Sequence, residues 1–317
     1  MDNLAHSLAG AVIGETGLKR KTGLGMATLI VAANLPDIDV VGLAFGENLA
    51  FRRGWSHGPL GLLLLPPLLA GLMAGLDRWQ ARRGTRPPDR LRVHLGWLLA
   101  LAYVGALSHP ALDLLNTYGV RCLAPFSDRW FYGDTLFIMD AWMWSVPALG
   151  VWLARRKWKR AAPNPGRPAL AAILLTCGYI GAMAAASAVA EDLTRREAER
   201  QGLEVREVVA NPVPLDVTRR RMVVATGGSY GFGEVRWRPL PEVTLSPELM
   251  PSNMDDPRLA SLVRRKEVAD YLFWSRLPFA RFEADGQGTV LFLGDARYMG
   301  TPAEGHLSVR TRLPPAE

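Results

Sequence analysis

Cysteine is nearly absent from this chain of 317 residues: Cys122 and Cys177 are the only two, in unrelated contexts. That excludes a disulfide framework and a CxxC-type thiolate metal site. The sequence has no P-loop and no HExxH, so the signatures of nucleotide binders and helical zinc proteases drop out. The net charge of +7 comes with no groove-reading motif and no basic face interleaved with aromatics, so nucleic acid is not an expected partner. The N-terminus, MDNLAHSLAGAVIG, lacks a basic leading region and a clear apolar run before a cleavage site; it is expected to be retained. Charge is also sparse over residues 1–190, where long apolar runs dominate, whereas residues 191–317 read as a soluble domain.

Several of these runs are long enough to cross a bilayer. A short helix is expected over 3–17, too short to span but rich in the Gly and Ala that allow close packing. Candidate spans follow at 23–45, 58–76, 94–114, 138–154 and 169–190. Pro36 breaks the first, because it removes a backbone donor and disfavours helical geometry at Leu35. Pro66-Pro67 is expected to kink the second. The basic clusters Lys19–Lys21, Arg78–Arg92 and Arg155–Arg160 flank these runs and mark cytoplasmic loops by the positive-inside rule. Threading the spans from those anchors gives a multi-pass protein of the inner (plasma) membrane, with the lipid bilayer as its partner and residues 191–317 outside the cytoplasm.

In that outer region the runs VREVVA, RRMVVATGG, GEVRWRPL, ARFEADG, GTVLFLGDARY and HLSVRTRL alternate or are β-branched. Gly227-Gly228 and Asp285-Gly286 suit hairpin turns, and DDPRLASLVRRKEVADYLFWSRL between them reads as one helix. The expected fold is a polytopic α-helical membrane domain over 1–190, with about five apolar spans plus a short N-terminal helix. A small α+β extracytoplasmic domain, mostly antiparallel, follows over 191–317.

Ionisable residues stand where a span least tolerates them. His6, Asp37, Asp39, His57, His109 and Asp113 lie in or beside the apolar runs. Each such group at mid-bilayer costs about 2.5–3.5 kcal/mol and needs a partner or a wet cavity. The charge-rule topology carries all of them, and Asp140, toward the outer half, although nothing in that rule requires it. A shared divalent metal ion is the simplest partner. Mixed imidazole and carboxylate donors suit Zn foremost, or Mn or Fe, better than Ca or Mg. The carboxylate content leaves one or two ions open.

Each residue also has a plainer reading. His109 and Asp113, at i and i+4, share a helix face; they can bind an ion or merely hydrogen-bond to hold spans together. Asp37 and Asp39 diverge by roughly 200° on a regular helix, so both aim inward only if the backbone unwinds at Pro36; otherwise they are solvated loop residues. His57 can be a surface histidine at the membrane edge, and His6 a packing one. Asp134 and Asp140 lie among aromatics typical of an interface belt, Asp140 as a ligand candidate and Asp134 as its supporting partner. His94 and His306 are not expected to be ligands. Ser7, Ser56 and Ser108 each adjoin a histidine, but sequence neighbours do not face one another on a helix. Arg52 and Arg53 fall on the outer side against the positive-inside rule, which gives them a role beyond topology.

The blocks MDNLAHSLAGAVIG, NLPDIDVV, RRGWSHGPLG and SHPALDLLNTYGVRCLAPFSDRWFYGDTLFIMDAW, within residues 1–142, resemble the inner-membrane-associated, metal-dependent hydrolase family of the YdjM type, also described as LexA-binding. Later stretches such as YLFWSRLPFARFE look like the tail of longer members. The resemblance implies metal-binding roles for His6, Asp37, Asp39, His57, His109 and Asp113. The chain departs from the pattern at Ala5, where many members have Thr before the first His, and at Ala141, where many have Pro after the late Asp.

The residues argue for the metal site, and the resemblance implies the hydrolysis step: a membrane-bound hydrolase that uses metal-activated water near the outer membrane edge. Its expected substrate is a phosphoester of a lipid or lipid-linked phosphate. Asp39 and Asp113 are catalytic candidates, one carboxylate acting as general base. Arg52 and Arg53 match phosphate oxygens bidentately. Two rivals come from other classes. One is a structural or regulatory membrane protein whose metal staples the bundle. The other is a metal or proton transporter, against which the gathering of His and Asp on one side argues.

Overall fold

Asp2 starts the first helix. Its carboxylate accepts hydrogen bonds from the Leu4 and Ala5 amides and caps α1 (Asn3–Glu15) as an N-cap aspartate does. The computed structural model describes residues 1–45, 49, 51–286, 288–301 and 303–313. One of its two units comprises Met1–Phe45 with Arg52–Ala184; the other continues from Ala185. In the first, α1 leads to α2 (Gly25–Ala32), a 3-10 stretch (Leu35–Phe45), α3 (Pro59–Arg82), α4 (Leu95–Asp113), α5 (Ala141–Lys159) and the start of α6 (Arg167–Arg200), whose residues from Ala185 on belong to the second.

Glycines let the neighbours of α2 approach its backbone. A Cβ on Gly10 of α1 would sit 2.7 Å from the Leu29 carbonyl oxygen. One on Gly105 of α4 would sit 2.8 Å from that oxygen and 2.6 Å from the Ala32 Cβ. This is the small-residue contact of membrane helix pairs, and it leaves Leu29, Ala32 and Ala33 fully buried. Pro36 then offers no amide for another helical bond, and the chain continues as the 3-10 stretch, bent by 45° from α2. The expected break at Pro36 is there. Pro66 and Pro67, by contrast, lie inside α3, which runs unbroken.

The unit has two chemically distinct ends. At one, fully buried Glu15 pairs with Lys19 and with Arg155 (3.0 Å). Trp158 lies beneath Lys19 and Arg20, and the Gly23 amide donates to the Arg92 carbonyl. At the other end, Asp2 accepts from the Trp144 indole at 3.0 Å and Asp140 from the Tyr179 hydroxyl at 2.7 Å.

Among the described residues, three helices, α3, α4 and α6, are long and apolar enough to cross a membrane, and α2 with the bent 3-10 stretch makes a fourth if the pair is one span. The sequence suggested five. The run expected to span at 138–154 falls largely in α5, which is not among these helices: it starts only at Ala141, behind its Asp140 cap, and reaches the basic Arg155, Arg156, Lys157 and Lys159 in its last turns.

In the second unit, β1 (Glu207–Val213), β2 (Asp216–Ala225), β3 (Ser229–Trp237) and β4 (Pro241–Pro251) form an antiparallel meander. After α7 (Pro257–Ala260) and α8 (Lys266–Trp274), the strands β5 (Pro278–Ala284), β6 (Thr289–Asp295) and β7 (Val309–Arg312) form a second antiparallel sheet. Side chains alternate across a strand. Val208, Ala210, Met222 and Val224 therefore pack with Ala190 and Ala198 of α6, while Val209, Val223 and Ala225 pack with Phe279 and Phe292 of the second sheet. A strand buried on both faces needs an unbroken apolar run, which Val208–Ala210 and Met222–Ala225 supply. The expected single helix before β5 is two, α7 and α8. β4 was not expected, since PEVTLSPELMP carries three prolines; they are tolerated because β4 is an edge strand.

Asp295 and Arg297 form a fully buried pair (2.8 Å), with the guanidinium over the rings of Trp274 and Tyr298. Asp295 also accepts from the Ser275 hydroxyl (2.6 Å) and the Arg276 and Leu277 amides. Burial pushes its pKa up, but Arg297 and these hydrogen bonds outweigh burial and hold the carboxyl at about 2.

Candidate metal centre

Four donors from three segments meet at one point. His109 and Asp113 come from the last turns of α4, Asp37 from the 3-10 stretch after Pro36, and His57 from the loop ahead of α3. One ligand atom of each lies within 4.8 Å of the others. Asp113 Oδ2 is 3.4 Å from His57 Nε2 and 3.5 Å from His109 Nε2. Asp37 Oδ1 is 3.9 and 3.7 Å from the same nitrogens. A tetrahedral ion with bonds of about 2.0–2.1 Å needs donors about 3.3–3.4 Å apart, so two of these four separations already match and two are slightly long.

The donor atoms themselves point to a cation. His57 Nε2, His109 Nε2 and Asp113 Oδ2 are buried and make no hydrogen bond, although buried polar atoms are normally satisfied. The far side of each imidazole is held. His109 Nδ1 lies 2.7 Å from the carbonyl oxygen of Ala33, the C-cap of α2, so this nitrogen donates and Nε2 keeps its lone pair. His57 Nδ1 lies 3.1 Å from Ser56 Oγ and 3.5 Å from Asp39 Oδ2. Asp39 Oδ2 is in turn fixed by the Arg53 amide (2.6 Å) and Ser56 Oγ (3.3 Å). Carboxylates and carbonyls behind histidines are what orient metal ligands. The residues fit a divalent ion.

Residues 1–189 match the family model described as YdjM inner membrane protein. The chain belongs to that family. No curated protein and no solved structure matches it. The YdjM match spans all four donors and ends before β1.

The other residues singled out in this YdjM protein fall around the four donors or away from them. His6 stacks on His109 (centroids 3.8 Å apart) and places Nε2 3.3 Å from Asp113 Oδ1, which the Met1 amine also contacts. Asp39 stands behind His57 and outside the four. Asp140 is not brought to the group: it caps α5 through the Trp142 and Met143 amides, and its second oxygen accepts from Tyr179. His94 precedes α4, at the opposite end of that helix from His109 and Asp113, and His306 is exposed in the second unit.

The two arginines that the charge rule left unexplained are counter-charges. Arg53 is only 5% exposed. Its Nε lies 3.1 Å from Asp113 Oδ2, its Nη1 donates to Asn116 Oδ1 and the Gly119 carbonyl, and its guanidinium covers the Tyr118 ring. Arg52 is partly exposed and faces Asp37 (3.4 Å) and Asp39 (3.3 Å). Two contributors were not legible in the sequence. Asn116 accepts from both Arg53 and the Tyr118 amide; its place in the turn after α4 was the available signal. Ser56 does face His57, because both lie in a loop and not on a helix.

Proposed function

We propose that this YdjM-family chain is a membrane-bound, metal-dependent hydrolase acting on a phosphoester of an amphiphilic or lipid-linked substrate at the membrane edge. One observation carries the reading: three buried donor atoms without hydrogen bonds converge with Asp37 Oδ1 at ligand spacing. Asp37, His57, His109 and Asp113 would hold one divalent ion, and two imidazoles with two carboxylates suit Zn, Mn or Fe. When bound, such an ion supplies Lewis acidity and a water of lowered pKa.

The chain's own groups divide the remaining work. Asp39 and Ser56 keep His57 turned toward the donors. Arg53 positions Asp113 and is too buried to reach a substrate. Arg52, with its partly exposed flank beside Asp37, is the cation that meets a phosphate, where a guanidinium matches two oxygens. Asp37 is the one donor of the four that is not fully buried, its side chain 16% exposed, so substrate arrives on its side. A cavity of about 420 Å³ lies there, lined by Ile30, Val31, Leu35 and Ile38 together with Asn3 and Asn34. An apolar wall beside a charged site suits an acyl chain joined to a phosphate.

Burial of the other three donors favours a second reading, in which the ion only staples α4, the 3-10 stretch and the loop before α3. Metal content and turnover separate the two. Detergent-purified wild type is expected to carry about one ion per chain by mass spectrometry, lost in His109→Ala and Asp37→Ala. Hydrolysis of phosphorylated lipids that disappears in Arg52→Ala while metal is retained supports the hydrolase. Metal-loaded wild type that is inert across phospholipids and lipid-linked phosphates leaves the staple.

A further inference from the structure

The first unit carries uncompensated positive charge at the end away from the metal centre. His109 and Asp113 lie in the last turns of α4. The turn between α1 and α2 meets the start of that helix instead: the Gly23 amide donates to the Arg92 carbonyl, and Thr22 Oγ accepts from the His94 amide at 2.8 Å. Glu15, the last residue of α1, is the acid nearest this turn in the chain. It is fully buried and already paired with Lys19 and Arg155. Arg20 and Lys21 are exposed and, among the described residues, meet no carboxylate. Each lies over an indole instead. Arg20 Cζ is 4.9 Å from the centre of the Trp158 ring, and Lys21 Nζ is 5.3 Å from that of Trp97.

The other basic stretch at this end is built differently. Arg86 and Arg90, which follow α3, both close on Asp77 at 3.0 Å, so their charge is satisfied inside the protein. A topological anchor needs charge alone. Stacking on a ring adds order, because the ring attracts and orients the cation, while the N–H groups at the edge of a stacked guanidinium stay free to donate. Arg20 and Lys21 are thus two ordered cations on adjacent residues, with nothing on this chain to neutralise them. That arrangement matches an anion of two charges.

Apolar surface begins beside them. Leu95 and Trp97, in the first turn of α4, are exposed, and so is Leu170 in the first turn of α6. The start of α6 abuts the end of α1, since a Cβ on Gly166 would sit 2.4 Å from the Thr16 carbonyl oxygen. Cations at a rim with exposed leucine and indole next to them fit a phospholipid, whose phosphate and acyl chains need both. A free phosphate ion makes no use of the apolar part.

We infer that Arg20 and Lys21, seated on Trp158 and Trp97, hold the headgroup of an anionic phospholipid, and that a lipid with two phosphates, cardiolipin, binds there best. Its acyl chains lie on the exposed first turns of α4 and α6. The inference is independent of any activity at the metal centre.

The test is native mass spectrometry of the full chain in a neutral detergent, titrated with cardiolipin, phosphatidylglycerol or phosphatidylethanolamine. Cardiolipin is expected to be retained most strongly and phosphatidylethanolamine least. Equal retention of all three overturns the proposal. Arg20→Gln with Lys21→Gln changes two exposed side chains and is expected to weaken cardiolipin binding about 10–30-fold. Arg78→Gln with Arg82→Gln removes the same charge from exposed positions of α3 and is expected to leave binding unchanged. Equal losses in the two pairs would show a response to net charge and overturn the site. Arg20→Lys with Lys21→Arg keeps both charges and should keep the lipid; loss there also counts against recognition by charge. Inorganic pyrophosphate is expected to displace cardiolipin only in large excess. Displacement at equal concentration would make a soluble anion the ligand and overturn the lipid assignment.

Discussion

His109 Nδ1 lies 2.7 Å from the carbonyl oxygen of Ala33. Ala33 caps α2, where the last carbonyls of a helix lack intrahelical partners. The break ahead of Pro36 thus frees the acceptor that sets the tautomer of His109 while it also turns Asp37 toward the same ring. One interruption of the backbone serves two of the four donors.

The arrangement behind His57 predicts a graded effect. Asp39→Asn keeps the size of the side chain but weakens its hold on His57 Nδ1. Metal affinity is expected to fall about 10–100-fold with full loading at saturating metal. Asp113→Asn, which alters a donor, is expected to abolish loading. Competition titration against a chelating dye measures both; equal behaviour of the two variants would show that Asp39 is itself a ligand.

Helix spacing should matter as much as the ligands. Gly105→Ala places a methyl against the Leu29 carbonyl and the Ala32 Cβ. Separating α2 from α4 is expected to cost about 1–3 kcal/mol and to stretch the Ala33–His109 bond, so thermal stability in detergent and metal affinity fall together. Gly96→Ala, where an added Cβ meets nothing within 4 Å, is the control and should leave both unchanged.

Acid should loosen the second unit through Asp295. Its folded pKa of about 2 lies below its ordinary 3.8, so the folded state binds fewer protons than the unfolded chain between those values. The contribution, on the order of 2 kcal/mol, is fully present above about pH 5 and is lost as pH falls through 4 toward 2. In melts followed by near-ultraviolet circular dichroism, Asp295→Asn should be destabilised at pH 7 yet lose much less stability between pH 5 and 3 than wild type. Parallel curves for the two would remove Asp295 as the cause.

Topology has a direct reading. The positive-inside assignment predicts that a reporter fused after Glu317, beyond the described residues, is active when it requires the extracytoplasmic side. A fusion active only with a cytoplasmic reporter reverses the orientation.

Much of the candidate site was legible because its chemistry is local. The i, i+4 spacing of His109 and Asp113 and the proline next to Asp37 each constrain geometry within one turn of chain, whereas Arg52 and Arg53, expected to meet a phosphate, lie against Asp37, Asp39 and Asp113. What failed was choice among uses of one residue type. Asp140 looked like a ligand, but an aspartate directly before a helical run is also a cap, and the cap won. Ser56 was set aside by a helical argument that does not hold in a loop. In the fold, the apolar run 138–154 looked like a span, but its helix starts only at Ala141 behind the Asp140 cap, and β4 hid because an edge strand need not alternate and tolerates proline.

A sheet covered on one side by a helix and on the other by a second sheet has no open face. What that sheet leaves open is its rims: the hairpin ends and the outer strands. The interior tolerates little variation, so new specificity can be acquired at that perimeter while the layered centre stays fixed, much as a frame can be refitted without touching the panel it holds.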